Sequence, residues 1–155
     1  MSEVFNQAQD FLNDVFESAG FNLRAKATAS EDATTVLDID GSDAALLRSE
    51  GGELLDALEH FVNQIYARQL PQGERLICDV HSFRAMREAE LRAMARHAAE
   101  RVRQSGVPFI FGSMTANERR VIHLTLAEDE QLHTESIGEG NARRLKVSLK
   151  SSLKK

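Results

Sequence analysis

Two residues that can bind phosphate, Arg119 and His123, stand four positions apart in the segment TANERRVIHL. Thr115 and Glu118, three positions apart, form a capping-box pattern, so we predict that a helix begins near Ala116. Side chains four apart on a helix share one face, with Cβ atoms about 5–6 Å apart. Arginine offers a planar fork of donors to phosphate, and histidine adds a donor whose charge changes near neutral pH. The pair therefore indicates a phosphate contact.

The spacing alone also fits a purely structural pair. In that interpretation Arg119 makes a surface ion pair, and His123 is a core histidine beside Ile122 and Leu126. Other polar side chains could extend a phosphate-binding surface, although a solvated charged face explains them nearly as well. These residues are Arg120, Arg143, Arg144 and Lys146. Thr134 and Ser136 on a predicted strand could also donate to phosphate, or they could equally be ordinary strand residues.

Residues for other kinds of chemistry are missing from the sequence. It contains no phosphate-binding loop of the G-x-x-x-x-G-K-S/T type, no H-E-x-x-H helix and no nucleophile elbow. Cys78 and His81 have the spacing of half a zinc site, but no second pair at suitable spacing accompanies them. We therefore predict no catalysis, no metal and no cofactor.

Composition and the N-terminal residues bear on location. Cys78 is the single cysteine of the chain, which is compatible with a reducing compartment. The opening segment MSEVFNQAQDFLNDVFES carries acidic residues ahead of its apolar positions, the wrong order for a secretory signal. No apolar run approaches the roughly 18 residues that a membrane span needs. These features predict a cytoplasmic protein without membrane contact.

Charge is distributed unevenly along the 155 residues, whose net charge is −5. Residues 1–70 contain four Lys and Arg against thirteen Asp and Glu, a net charge of −9. Residues 71–155 contain fifteen against eleven, a net charge of +4. Asymmetry of this kind favours two modules with separate roles, of which the second is better suited to a polyanion.

Hydrophobic periodicity predicts an α+β chain. The first half reads as a helix at 3–18, strands at 22–29 and 34–40 joined by a hairpin turn at 30–33, a short apolar stretch at 44–47, a helix at 54–66 and a strand at 75–80. The second half reads as a helix at 84–104, a short strand at 108–112, a helix from 116, strands at 133–137 and 143–150, and a loose tail.

Two of these elements carry predictions about their faces. The helix at 54–66 has an apolar stripe of Leu54, Leu55, Leu58, Phe61, Val62, Ile65 and Tyr66. In the last strand, apolar and polar residues alternate, so we predict one buried face and one basic face. The buried face comprises Leu145, Val147 and Leu149, and the basic face comprises Arg144, Lys146, Ser148 and Lys150.

The second half resembles the R-three-H (Arg-x-x-x-His) domain family. The likeness rests on DVHSFRAMREAELRAMARHAAERV followed by SMTANERRVIHLTLAEDEQLHTESIGEGNARRLKVSL, with the signature on Arg119 and His123. Members of that family bind single-stranded nucleic acid, which the resemblance implies here.

The first half is similar to a type II KH domain, with the order αββααβ and LLRSEGGELLDALEHFVNQIYAR at its centre. KH domains hold four nucleotides through a G-x-x-G loop. Ser49, Glu50, Gly51 and Gly52 occupy that loop here, so it is degenerate: serine replaces one glycine. An acidic residue also stands where a phosphate would approach, and like charges about 4 Å apart repel by roughly 1 kcal/mol even in water.

A KH domain followed by an R-three-H domain is the pairing of bacterial Jag-like RNA-binding proteins. The resemblance implies a KH-like domain at 1–82 and an R-three-H domain at 83–155. It implies binding of single-stranded RNA or DNA by the phosphate backbone. Base stacking needs exposed aromatic rings, and the apparent core stripes leave only Phe109 or Phe111 as candidates. The alternative is a protein–protein adaptor, with a protein partner or self-association through the acidic half. The extra N-terminal domain of many Jag-like proteins is not among these residues, so we expect none of the partners that depend on it.

Overall fold

The structure is a computed structural model that describes residues 3–30 and 34–154. The chain divides into two compact units, residues 1–84 and residues 85–155. The predicted α+β class is confirmed. In the described part of the chain, no helix combines the length and the apolar character needed to cross a membrane.

The first unit follows the predicted order of helix, strand, strand, helix, helix, strand. Its elements are α1 (Glu3–Ala19), β1 (Arg24–Ala29), β2 (Thr34–Asp40), α2 (Ala44–Arg48), α3 (Glu53–Tyr66) and β3 (Arg75–Asp79). The predicted hairpin turn at 30–33 lies largely outside the described residues.

A three-stranded sheet with the order β1-β2-β3 supports this unit. The β1–β2 pair is antiparallel, with Ala27 opposite Leu37, and the β2–β3 pair is parallel, with Leu37 beside Cys78. The inward faces of β1, β2 and β3 pack with α1 and α3 into one apolar core that includes Leu12 and Leu55. Hydrophobic burial of this kind is the main force that holds such a small unit together.

Amide side chains close both edges of this sheet. Asn13 of α1 accepts a hydrogen bond from the Ala25 N–H at 2.8 Å and donates to the Ala25 carbonyl at 3.1 Å. Asn63 of α3 likewise accepts a hydrogen bond from the Leu76 N–H at 3.1 Å and donates to the Leu76 carbonyl at 2.7 Å. An exposed strand edge is a template for pairing with another chain, so these contacts remove that liability.

The predicted apolar stripe of α3 is wrong in part. Its buried residues are Leu55, Val62 and Tyr66, whereas Leu54, Phe61 and Ile65 are 40%, 49% and 39% exposed. Seven apolar positions on one helix cover more than the face that a small sheet can bury. A second apolar face of α3 is therefore left in solvent.

The turn between α2 and α3 is left-handed. Glu50, Gly51 and Gly52 have φ angles of 53°, 66° and 84°. A Cβ atom on Gly52 would lie 2.8 Å from Cε1 of Phe83, so a side chain cannot fit there without displacing that ring. Backbone conformation and close packing both require glycine at this position.

The second unit comprises most of α4 and all later elements. These are α4 (Phe83–Ser105), β4 (Phe109–Ile110), α5 (Ala116–Leu126), β5 (Leu132–Ile137) and β6 (Arg144–Leu149). The strands form an antiparallel sheet with the order β4-β6-β5. Its core is made by Leu91, Ala95, Ala98, Ala99 and Val102 of α4 with Phe111, Ile122, Leu126, Leu132, Leu145 and Val147. The tail, predicted to be loose, instead forms a 3-10 turn at Lys150–Lys154.

Candidate nucleic-acid interface

Helix α5 begins where the capping box predicts. The Glu118 N–H donates to Thr115 Oγ1, and the Thr115 N–H donates to Glu118 Oε2, both at 3.2 Å. These reciprocal bonds satisfy two of the N–H groups that a helix start leaves unpaired.

A second contact fastens the same carboxylate to α4. Arg87 Nε donates to Glu118 Oε1 at 2.7 Å, and Glu118 is only 5% exposed. Because the Glu118 carboxylate is largely shielded from water, this charged hydrogen bond is stronger than one at the protein surface. This contact joins residues 31 positions apart and carries no local pattern, so the sequence did not reveal it.

Arg119 lies half-buried at the start of α5, where its Nη1 donates to the Met114 carbonyl at 2.8 Å. Within the described residues no carboxylate pairs with it. The surface ion pair considered above is therefore wrong. Guanidinium carries five N–H donors, so most of them stay free for a ligand while the group is held in place.

His123 is exposed on α5, whereas its neighbours Ile122 and Leu126 are buried. The interpretation of His123 as a core histidine is therefore wrong. Its Nδ1 lies 2.6 Å from Thr134 Oγ1 of β5, a hydrogen bond whose direction depends on the ring tautomer. The bond orients the ring and leaves Nε2 as the nitrogen available to a ligand.

The two elements enclose a cleft of about 370 Å³ between α5 and β5. It is lined by Arg119, Arg120, His123, Thr134 and Ser136, together with Ala116, Glu135 and Leu145. Five of the eight residues predicted for nucleic-acid contact thus meet here: Arg119, Arg120, His123, Thr134 and Ser136. Two cations, an imidazole and two hydroxyls around one cleft suit an oxyanion such as phosphate.

The predicted basic face of β6 does not join this cleft. The register places Glu135 opposite Lys146 and Thr134 opposite Val147. Because neighbouring side chains on a strand point to opposite faces, Lys146 lies on the far face from Thr134, where it pairs with Glu135 at 3.5 Å.

The same alternation places Arg144 with Lys146 on the far face. Ser148, predicted to be on the exposed basic face, is buried instead. Arg143 precedes β6 and is exposed, and its carbonyl accepts from the Met114 N–H at 3.3 Å. It therefore lies near the end of α5 that carries Arg119.

The aromatic residues offer little for base stacking. Phe111 is buried in the core of the second unit, so its predicted role as a stacking ring is wrong. Phe109 is half-buried, with its ring centre 4.9 Å from that of Phe111 and 5.6 Å from the Arg101 guanidinium. The exposed apolar residue beside His123 is Leu124, which the sequence analysis did not single out.

Comparison with known proteins bears on this cleft. Residues 89–149 match the R-three-H domain family. The chain is 32% identical over 152 residues to the RNA-binding protein KhpB of Bacillus subtilis (strain 168), covering 96% of this chain and 72% of that protein. It is 26% identical over 146 residues to the RNA-binding protein KhpB of Clostridium symbiosum, covering 94% of this chain and 66% of that one.

The chain belongs to the KhpB family. The R-three-H match includes α5, β5 and β6, and with them every residue predicted for nucleic-acid contact. These findings confirm the resemblance to Jag-like RNA-binding proteins and its R-three-H part. The KH assignment of the first half stays a prediction.

A further feature of the described ranges is the grouping of their His, Cys, Asp and Glu side chains. No group of three or more His, Cys, Asp or Glu side chains there is placed to hold an ion. Cys78 and His81, which have the spacing of half a zinc site, differ in their surroundings. Cys78 is buried, whereas His81 is exposed and its Nε2 lies 2.7 Å from Asp40 Oδ1.

Proposed function

We propose that this KhpB-family chain binds single-stranded RNA through its phosphate backbone, without catalysis, at the cleft between α5 and β5. The observation that carries the proposal is the convergence of Arg119, Arg120 and His123 on one cleft with two hydroxyl groups. The names of the two relatives, each an RNA-binding protein, support RNA as the polymer.

The roles follow from the contacts. Arg119, held by the Met114 carbonyl, presents its remaining donors to a phosphate oxygen. His123, held by Thr134, presents Nε2 to the same or the next phosphate. Arg120 is exposed and supplies charge. Phosphate contacts position a strand but carry no sequence information, so the preference among sequences is weak.

We further propose that residues 1–82 are a KH-like domain and residues 83–155 an R-three-H domain. The order of elements in the first unit and the position of Ser49–Gly52 between α2 and α3 support the first assignment. The Glu50 carboxylate in that turn repels phosphate, so this unit acts as an electrostatic brake on nonspecific RNA binding. On this account Glu50→Lys tightens RNA binding, and an unchanged or weaker affinity counts against the brake.

Fluorescence anisotropy of labelled single-stranded RNA, titrated with the full chain at about 50 mM and about 200 mM salt, tests the function directly. Backbone recognition predicts binding that weakens steeply with salt, because each phosphate contact releases condensed counterions. Absence of binding at the lower salt would contradict the proposal.

A second candidate, a protein–protein adaptor, has one observation in its favour. Leu54, Phe61 and Ile65 leave an apolar face of α3 in solvent, on the acidic half of the chain. The −9 charge of residues 1–70 opposes self-association, so the adaptor interpretation favours a different, basic protein. If RNA binding is absent at both salt concentrations while Phe61→Glu abolishes capture of such a partner, the adaptor function replaces the first.

A further inference from the structure

Strand β5 has one edge that no other strand covers among the described residues, because the sheet order is β4-β6-β5. The register shows which backbone groups face that edge. The Phe111 N–H donates to the Leu145 carbonyl at 3.0 Å, so odd-numbered residues of β6 direct their backbone groups toward β4. The Lys150 N–H donates to the Gln131 carbonyl at 2.9 Å, so even-numbered residues direct theirs toward β5.

Strand β5 therefore uses its odd-numbered residues to pair with β6, in the pairs His133–Ser148, Glu135–Lys146 and Ile137–Arg144. Its even-numbered residues direct their N–H and C=O groups to the free edge. The Leu132 N–H is taken by the Asp129 carbonyl at 3.3 Å. In the described structure the N–H groups of Thr134 and Ser136 have no such partner.

The first unit shows that this chain does close strand edges elsewhere. Asn13 and Asn63 satisfy the outward backbone groups of Ala25 and Leu76. No side chain of the described residues does this for β5. The open edge belongs to the two residues whose side chains line the cleft with Arg119 and His123.

We propose that the free edge of β5 forms the second wall of the RNA site. The N–H groups of Thr134 and Ser136 donate to phosphate oxygens, and their carbonyls accept from ribose 2′-hydroxyls. This inference rests on the proposed function and extends it, because it assigns RNA contacts to backbone groups in addition to the side chains of the cleft.

Charge favours RNA over a peptide strand as the occupant of this edge. Arg119, Arg120 and His123 flank it at the cleft. Glu135 also lines the cleft, but its carboxylate pairs with Lys146 at 3.5 Å, which offsets its negative charge. An edge that alternates donors and acceptors also suits RNA better than DNA. RNA combines phosphate acceptors with 2′-hydroxyl donors, and DNA lacks the donors.

The test compares Ser136→Pro with Ser136→Val in the full chain. Proline removes the outward N–H and is tolerated at a strand edge, whereas valine removes the same hydroxyl, adds similar bulk and keeps the N–H. In RNA anisotropy, the edge contact predicts that Ser136→Pro binds about ten-fold or more weakly than Ser136→Val. Equal affinity of two folded variants would overturn the proposal.

Amide hydrogen exchange of the wild-type chain keeps the test decisive if Ser136→Pro fails to fold. The amides of Thr134 and Ser136 should exchange fast in the free protein and slowly with saturating single-stranded RNA. The amide of Glu135, which pairs with β6, is the internal control and should be protected in both states. Unchanged exchange at Thr134 and Ser136 in the bound state would overturn the edge contact.

Two further outcomes distinguish failure of this inference from failure of the proposed RNA binding on which it rests. If Arg119→Ala abolishes RNA binding while Ser136→Pro and hydrogen exchange show no edge contact, the proposed function stands and the inference fails. A matched DNA oligonucleotide should bind more weakly than RNA, and equal binding would overturn the role of the carbonyls.

Discussion

His123 Nδ1 lies 2.6 Å from Thr134 Oγ1, so a hydroxyl on β5 holds the imidazole of α5 at the mouth of the cleft. The contact links α5 and β5, the two elements between which we propose that a phosphate binds. It also engages one ring nitrogen, which leaves the other to face a ligand. Orientation of this kind matters because a loosely held side chain loses rotamer entropy on binding.

Thr134→Val should weaken RNA binding, whereas Thr134→Ser should retain it. Valine keeps the β-branched shape and removes the hydroxyl, so the loss of one hydrogen bond predicts a decrease of about two- to ten-fold in affinity. RNA anisotropy measures the change, and ¹⁵N NMR of the imidazole reports whether its tautomer becomes mixed. Full affinity in Thr134→Val with a mixed tautomer would show that ring orientation is irrelevant.

Glu118→Ala should destabilise the second unit through two lost contacts. The substitution removes one half of the capping box and leaves Arg87 without its 2.7 Å partner, so we expect a loss of about 1–3 kcal/mol. Urea unfolding followed by circular dichroism measures it. The double variant Glu118→Ala/Arg87→Met leaves neither member of this pair buried without its partner, so the loss that remains in it reports the capping box. A double variant as stable as wild type would contradict a separate contribution from the cap.

Gly52→Ala should destabilise the first unit more than Gly73→Ala. Both glycines have left-handed backbones, with φ of 84° and 87°, so both substitutions carry a strain of about 1–2 kcal/mol. At Gly73 a new Cβ meets no atom within 4 Å, whereas at Gly52 it meets Phe83 at 2.8 Å. Equal unfolding free energies in urea would show that the Phe83 ring adapts without cost.

The Cys78 thiol should resist modification until the first unit unfolds. Burial raises the pKa of this thiol to about 12, and Cys78 is fully buried on β3. Since the thiolate is the reactive form, a disulfide reagent at pH 8 should label the chain only in urea. Rapid labelling of the folded chain would contradict this burial.

The same pKa shift predicts a pH dependence with a definite sign. An unfolded thiol ionises near pH 8.5, while the folded Cys78 stays protonated. The contribution of this group to stability is therefore intact below about pH 8.5 and declines as the pH rises above it. Cys78→Ala should remove that decline from the pH dependence of the unfolding free energy, measured by urea unfolding. An unchanged pH dependence would show that another group causes the decline.

Local patterns in the sequence predicted the elements and the start of α5, because helical and strand periodicity and a capping box involve neighbouring residues. They could not show that Lys146 lies on the sheet face away from Thr134, because that depends on the pairing register between β5 and β6. The Arg87–Glu118 contact went unseen, because it joins residues 31 apart and leaves no periodic mark.

Exposure was also misjudged for α3 and Phe111. Apolar content shows which residues can be buried, and it does not show how much apolar surface the neighbouring elements can cover. Phe61 is therefore exposed despite its place in an apolar pattern, whereas Phe111 is buried in the core.

RNA binding by Arg119→Ala/His123→Ala shows whether the cleft between α5 and β5 holds the phosphate backbone. The matched control is Arg96→Ala/His97→Ala, which removes the same two residue types from exposed positions on α4. We predict that the cleft variant loses about a hundred-fold or more in affinity, while the control stays within a few-fold of wild type. If the folded cleft variant binds RNA as tightly as the control, the contact lies elsewhere and this account of the cleft is wrong.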